Sequence, residues 1–205
     1  MSTRPLNYLA LGDSYTIGEA VDATARWPAV LVRRMREAGT HMGEPQIVAV
    51  TGWTTDELAR GMDEARLQPG HDLVTLQIGV NNQYRGRPLA EYATQFDELL
   101  SRAVALAGDE ASRVVVVSIP DWGVTRFARE NGHDAARIAT ELDAFNACAR
   151  ELADARGAGF VDITGLSRQY PTLVAQDGLH PSAAQYAAWI EEILPAALRA
   201  VHGAT

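Results

Sequence analysis

Short apolar runs alternate with longer amphipathic stretches along this chain, and that alternation limits the fold more than any other feature. Residues 8–11, 47–50, 73–78, 114–119 and 160–163 are rich in Val, Ile and Leu, without clean apolar/polar alternation. This is the pattern of parallel strands covered on both faces. Helical patterns fill the gaps. The stretch 26–38 opens beside Pro28 and stops at Gly39, the usual asymmetry of helix ends. Thr54-Thr55-Asp56-Glu57 reads as a capping box, opening a helix to about residue 66. Residues 89–107 end at Gly108 and residues 134–156 at Gly157. The last pattern, 181–201, has Pro181 in its first turn, and Pro195 predicts a late kink or break. The order predicts an α/β protein: a three-layer α/β/α sandwich on a five-stranded parallel sheet, with right-handed crossovers. One domain spanning 1–205 is expected, since 205 residues suffice for a full core.

In such sheets ligands bind outside the carboxyl ends of the strands. Ser14, Gly52, Asn81 and Asp121 each follow a strand end and are expected on one edge, within reach of the segment carrying Asp177 and His180. Taken singly, each has an ordinary reading: an N-cap serine, a strand-exit glycine, an Asx turn, an Asp-Gly turn before a helix. Together they supply an ester-cleaving set. A serine hydroxyl needs a base, and the base needs an acceptor on its other ring nitrogen. Ser14, His180 and Asp177 fill those roles. A tetrahedral oxyanion needs fixed donors. Gly52 and Asn81 offer them. Tyr15, Trp53, Asn82, Tyr84 and Trp122 are the candidate substrate-pocket residues.

Composition removes competing functions. The formal charge of −8 argues against nucleic acid and anionic membrane. The chain has no lysine, which excludes Schiff-base chemistry and a Walker-type phosphate loop. His41, His71, His133 and His202 show no metal-ligand spacing, so no metal is expected. The single cysteine, Cys148, permits no internal disulfide and shares a helical face with Leu142, Phe145 and Leu152. No run is long enough to span a bilayer, and the start shows no leader pattern, so a cytoplasmic location is expected.

The blocks Leu11-Gly12-Asp13-Ser14, Thr51-Gly52-Trp53, Gly79-Val80-Asn81-Asn82 and Asp177-Gly178-Leu179-His180-Pro181 resemble those of the SGNH hydrolases, the GDSL-type esterases and lipases, in the same order. The resemblance implies a flavodoxin-like sheet and no metal or organic cofactor. It implies Ser14 as nucleophile, His180 as base and Asp177 as its carboxylate. It also implies an oxyanion hole from the Ser14 and Gly52 N–H groups and the Asn81 amide. The sequence departs in two places: Tyr15 stands where that family's name has leucine, and Asn82 where aspartate is usual. The expected function is hydrolysis of small carboxylic esters, with short acyl groups preferred because the connections on the active edge are short. Acyl transfer from the same acyl-enzyme is the alternative within enzymes. A non-catalytic flavodoxin-like binding domain is the alternative outside them.

Overall fold

The computed structural model describes residues 4–203. Its strands are β1 (Leu6–Gly12), β2 (Met42–Ala49), β3 (Leu73–Gln77), β4 (Val114–Val117) and β5 (Gly159–Val161). They form one five-stranded sheet in the order β2-β1-β3-β4-β5. Every pairing is parallel. This is the flavodoxin-like strand order, with its switch point at β1 and β3, where the chain leaves β1 first to one side and then to the other.

The helices are α1 (Ser14–Ile17), α2 (Trp27–Glu37), α3 (Thr55–Glu64), α4 (Val80–Tyr84), α5 (Leu89–Leu106), α6 (Arg126–Glu130), α7 (Ala135–Arg156), α8 (Thr164–Gln169) and α9 (Ala183–His202). One face of the sheet is covered by α2 packed on α9, the other by α3, α5 and α7. Burial on both faces explains the continuous apolar runs. Leu9, Ala10 and Leu11 are sealed from solvent, as are Val114–Val117 of β4. Cys148 is half-buried against this core, and burial pushes its thiol pKa up.

Polar side chains inside the sheet are paired. Tyr8 Oη and Thr75 Oγ1 share a hydrogen bond of 2.9 Å. Gln77 Oε1 accepts from Trp27 Nε1 at 3.2 Å, while its Nε2 donates to the Ser118 carbonyl at 3.1 Å. The Gln77 amide thus ties β3 to β4 and to α2, directly beneath the segment that carries Ser14.

The capping box is present: the Thr54 N–H donates to the Glu57 carboxylate at 2.9 Å. Three expectations need correction. First, β2 begins at Met42, well before residue 47. It is an edge strand with alternating exposure and a proline, so its first half lacks an apolar signature. Second, Pro181 lies outside the last helix. Ser182 caps α9 by accepting from the Gln185 N–H, and Pro181 instead bridges to Val174. Third, α9 runs through Pro195 without a break. Pro195 and Glu191 are both exposed, so the carbonyl that loses its partner faces water and the interruption costs little.

Candidate active site

The carboxyl ends of β1 and β3, with the loop after β2, open onto a cavity of about 210 Å³. It is lined by Ser14, Thr51, Gly52, Asn81 and His180, and by the apolar side chains of Val80, Phe127 and Leu179 with the rings of Tyr15, Tyr84 and Trp122. A larger cleft of about 430 Å³, at the amino ends of the strands, is lined by residues of β1, β2 and the 66–71 segment, His71 among them, and holds neither a serine nor a cysteine. The chemistry-bearing residues therefore select the smaller cavity.

Ser14 is the first residue of α1 and is 5% exposed. Asp13 caps that turn by accepting from the Tyr15 N–H at 3.0 Å. The Ser14 N–H belongs to the first helical turn, where no intrahelical partner exists. Gly52 adopts φ +88°, a left-handed conformation that suits glycine, and its N–H makes no backbone hydrogen bond among the described residues.

Asn81 Nδ2 donates to the Trp53 carbonyl at 2.9 Å. An amide nitrogen has two hydrogens. The bond to Trp53 uses one and fixes the plane in which the other points. At the C-cap of α4, Arg85 Nη2 donates to the Gly52 carbonyl at 2.7 Å, and its Nη1 reaches the Glu57 carboxylate at 3.2 Å. A side chain of α4 and one at its C-cap thus grip successive carbonyls of the Gly52 loop. Thr51 Oγ1 also donates to the Glu19 carboxylate, tying the loop to the turn after α1.

His180 and Asp177 come from a compact turn. Asp177 Oδ1 accepts from the N–H groups of Leu179 at 2.9 Å and His180 at 3.0 Å. Its Oδ2 lies 2.6 Å from His180 Nδ1. Partial burial works to raise the Asp177 carboxyl pKa. The hydrogen bonds from the imidazole and the two amides outweigh that and hold it below the usual carboxylate range. The carboxylate is therefore ionised near neutrality and orients the ring, leaving Nε2 without a protein partner among the described residues. The Tyr15 ring meets the imidazole edge-on, with centroids 5.9 Å apart.

Asp13 behaves differently. It is 1% exposed, and desolvation pushes its pKa up to about 7 despite the bond from Tyr15. Unfolded aspartate titrates near about 3.9. Between those values the folded state holds a proton that the unfolded state has lost, so stability falls as pH rises through that window and levels off above about 7. Asp13→Asn removes the effect and keeps the cap acceptor. In thermal melts, the variant should gain several degrees on the wild type between pH 5 and pH 8. A gap that stays constant with pH would contradict this assignment.

Five residues were expected to line a substrate pocket, and the structure divides them. Tyr15, Tyr84 and Trp122 line the cavity. Tyr84 is 54% exposed at its rim and meets Trp122 edge-on at 5.3 Å. Trp53 and Asn82 do not line it. The Trp53 ring packs under α3, where a Cβ on Gly61 would fall 2.1 Å from its Cη2. Asn82 is sealed in the protein: its Oδ1 accepts from the Thr55 N–H at 3.1 Å and its Nδ2 donates to Thr55 Oγ1 at 2.7 Å. Asparagine pins Thr55 with an acceptor and a donor at once, which accounts for its presence where aspartate was expected. Asp121 also lies off the cavity wall, engaged by the Gly123 N–H and by Arg168 Nε at 2.8 Å. Sequence reasoning missed four residues of the lining: Thr51, Val80, Phe127 and Leu179. Leu179 sits between Asp177 and His180, so its position beside the candidate base was a usable signal. Phe127 had none.

Residues 10–188 match the model of the GDSL-like lipase/acylhydrolase family. The chain belongs to this family. As a GDSL-like lipase/acylhydrolase it is a carboxylic ester hydrolase, acting on ester substrates as a serine hydrolase. Solved structures share its fold. The lipase Lip_vut3 from a goat rumen metagenome aligns with a TM-score of 0.75 at 17% identity, covering 93% of this chain and 97% of that one. The psychrotrophic esterase EstA from Pseudoalteromonas sp. aligns at 0.71 and 16%, covering 94% and 97%. AlinE4, an SGNH-hydrolase family esterase, aligns at 0.65 and 22%, covering 98% and 97%. No curated protein matches in sequence. Among the described residues, no helix is long and apolar enough to cross a membrane.

Proposed function

We propose that this GDSL-like hydrolase cleaves esters of short acyl groups through an acyl-enzyme on Ser14. The observation that carries the reading is the 2.6 Å contact of His180 Nδ1 with Asp177 Oδ2, with the imidazole and Ser14 on one cavity wall. Ser14 Oγ attacks the ester carbonyl carbon while His180 Nε2 takes its proton. The carbonyl oxygen, now an oxyanion, is met by the Ser14 N–H, the Gly52 N–H and the second hydrogen of the Asn81 amide. The bond to the alkoxy oxygen breaks, and His180 delivers the proton to the departing alcohol. Water then attacks the acyl-serine, with His180 again accepting and returning a proton. Asp177 stays ionised and steadies the imidazolium.

The acyl-group preference rests on the cavity. At about 210 Å³, walled by Trp122, Phe127, Val80 and Leu179, it suits a few methylene groups and not a long chain. The small apolar space also fits an uncharged ester better than an anionic one.

A fluorophosphonate probe with intact-mass and peptide mapping tests the nucleophile. One phosphonate per chain, on Ser14, is expected. Rates on p-nitrophenyl acetate, butyrate and octanoate test the pocket, and the two shorter esters should turn over faster. Modification at another residue would overturn the nucleophile, and octanoate as the fastest substrate would overturn the short-acyl reading.

A further inference from the structure

The turn bearing Asp177 and His180 is closed on itself. The Ala175 N–H donates to the His180 carbonyl at 2.7 Å, and the Gly178 N–H to the Ala175 carbonyl at 3.0 Å. These bonds set the shape of the turn but not its place over Ser14. Placement depends on outside contacts, and α6 supplies two. The Phe127 N–H donates to the Gly178 carbonyl at 2.9 Å. Arg126 Nη2 donates to the Gln176 carbonyl at 2.7 Å. Gly178 lies directly on the guanidinium: at φ +75° it has no Cβ, and one built there would fall 2.6 Å from Arg126 Nε and 3.0 Å from Nη2. The next residue, Phe127, lines the cavity. Helix α6 is itself anchored by Thr125, whose Oγ1 donates to the Trp122 carbonyl at 2.7 Å and accepts from the Ala128 N–H at 3.2 Å.

We infer that Arg126 is a positioning residue that holds the Asp177–His180 turn in register with Ser14, and that α6 joins this hold to the acyl wall through Phe127. The inference rests on the reading of Ser14 and His180 as nucleophile and base. Arg126 touches no reacting atom. Its planar guanidinium supports the glycine face of the turn and fixes a carbonyl just before Asp177, so its loss lets the turn drift while Asp177 and His180 remain paired within it. Misplacement of a catalytic group by about 1 Å costs up to roughly a hundredfold in rate.

The test compares wild type, Arg126→Ala and Arg126→Lys on p-nitrophenyl butyrate, with thermal melts and long-range 1H–15N correlation spectra of the imidazoles. Arg126→Ala should lower kcat roughly ten- to a hundredfold with KM within about twofold. Melting should stay near wild type, and the His180 15N shifts should move. Arg126→Lys keeps one donor and should recover part of kcat. Unchanged kcat, a loss that merely tracks the unfolded fraction, or unmoved His180 shifts would overturn the inference. Failure of the underlying reading looks different: Ser14→Ala would stay active, while the His180 spectra would still report whether Arg126 sets the turn.

Discussion

Ser14→Ala is expected to lower kcat for ester hydrolysis by roughly 10⁶-fold, to the background left by substrate binding and the oxyanion donors. Of the other hydroxyls lining the cavity, Thr51 Oγ1 is engaged with Glu19, and burial pushes the Tyr15 phenol pKa up, away from a nucleophilic phenolate. The fold should survive, because Ser14 is neither the cap of α1 nor a partner in a side-chain hydrogen bond among the described residues; Asp13 does the capping. Asp177→Asn should cost less, roughly 10⁴-fold, because an amide can accept from Leu179 and His180 but no longer balances the imidazolium. Single-turnover and steady-state rates, with melts to show folding, check both. A Ser14→Ala enzyme within tenfold of wild type would sink the mechanism, and equal losses in the two variants would sink the lesser role of the carboxylate.

The second large effect falls on the scaffold. Gly12 closes β1, and a Cβ there would lie 2.2 Å from Thr16 Oγ1, 2.7 Å from Thr16 Cβ and 2.6 Å from the Gln77 carbonyl. None of these can retreat. Thr16 is sealed from solvent, and Gly12 and Gln77 are register partners in the sheet. Gly12→Ala should therefore cost about 3 kcal/mol, the upper range for overpacking. That lowers the melting temperature by roughly 6–12 °C in a chain of this size. The same push displaces Ser14, two residues on, so kcat should fall with stability. Gly165→Ala is the matched control: Gly165 lies in α8, and a Cβ there meets nothing within 4 Å. Chemical and thermal denaturation of the three proteins decide it. A Gly12→Ala protein that melts with the wild type would show that the space beside Thr16 is larger than the packing implies.

How much could be read in advance varied with how local each cause was. The strands β3 and β4 were legible because every side chain in them is buried, which leaves an unbroken apolar run in β4 and a largely apolar one in β3, interrupted only by the paired Thr75 and Gln77. The first half of β2 was not, because at the sheet edge Gly43, Glu44 and Pro45 face partly outward. Helices α1, α4 and α6 have four or five residues, too few to show a period. Asp177 and His180 were legible as a pair because three residues of separation lets one turn join them. Trp53 was misread because its orientation is decided by the missing side chain of Gly61, on another element. Asn82 was misread because its partner, Thr55, is distant in the chain. Phe127 went unnoticed because its place on the wall follows from a bond to Gly178.

All five strands are complete by Val161, whereas His180 follows them and is set against Tyr15 beside α9. Tyr186 on α9 donates to the Tyr15 carbonyl at 3.0 Å, joining the late segment to the early one. Under the proposed mechanism, a chain emerging from the ribosome therefore displays its nucleophile, Ser14, long before it owns the base to activate it. On that mechanism the nascent protein carries an unarmed hydroxyl through synthesis, and the proposed chemistry is switched on by the same docking of α9 that completes the fold.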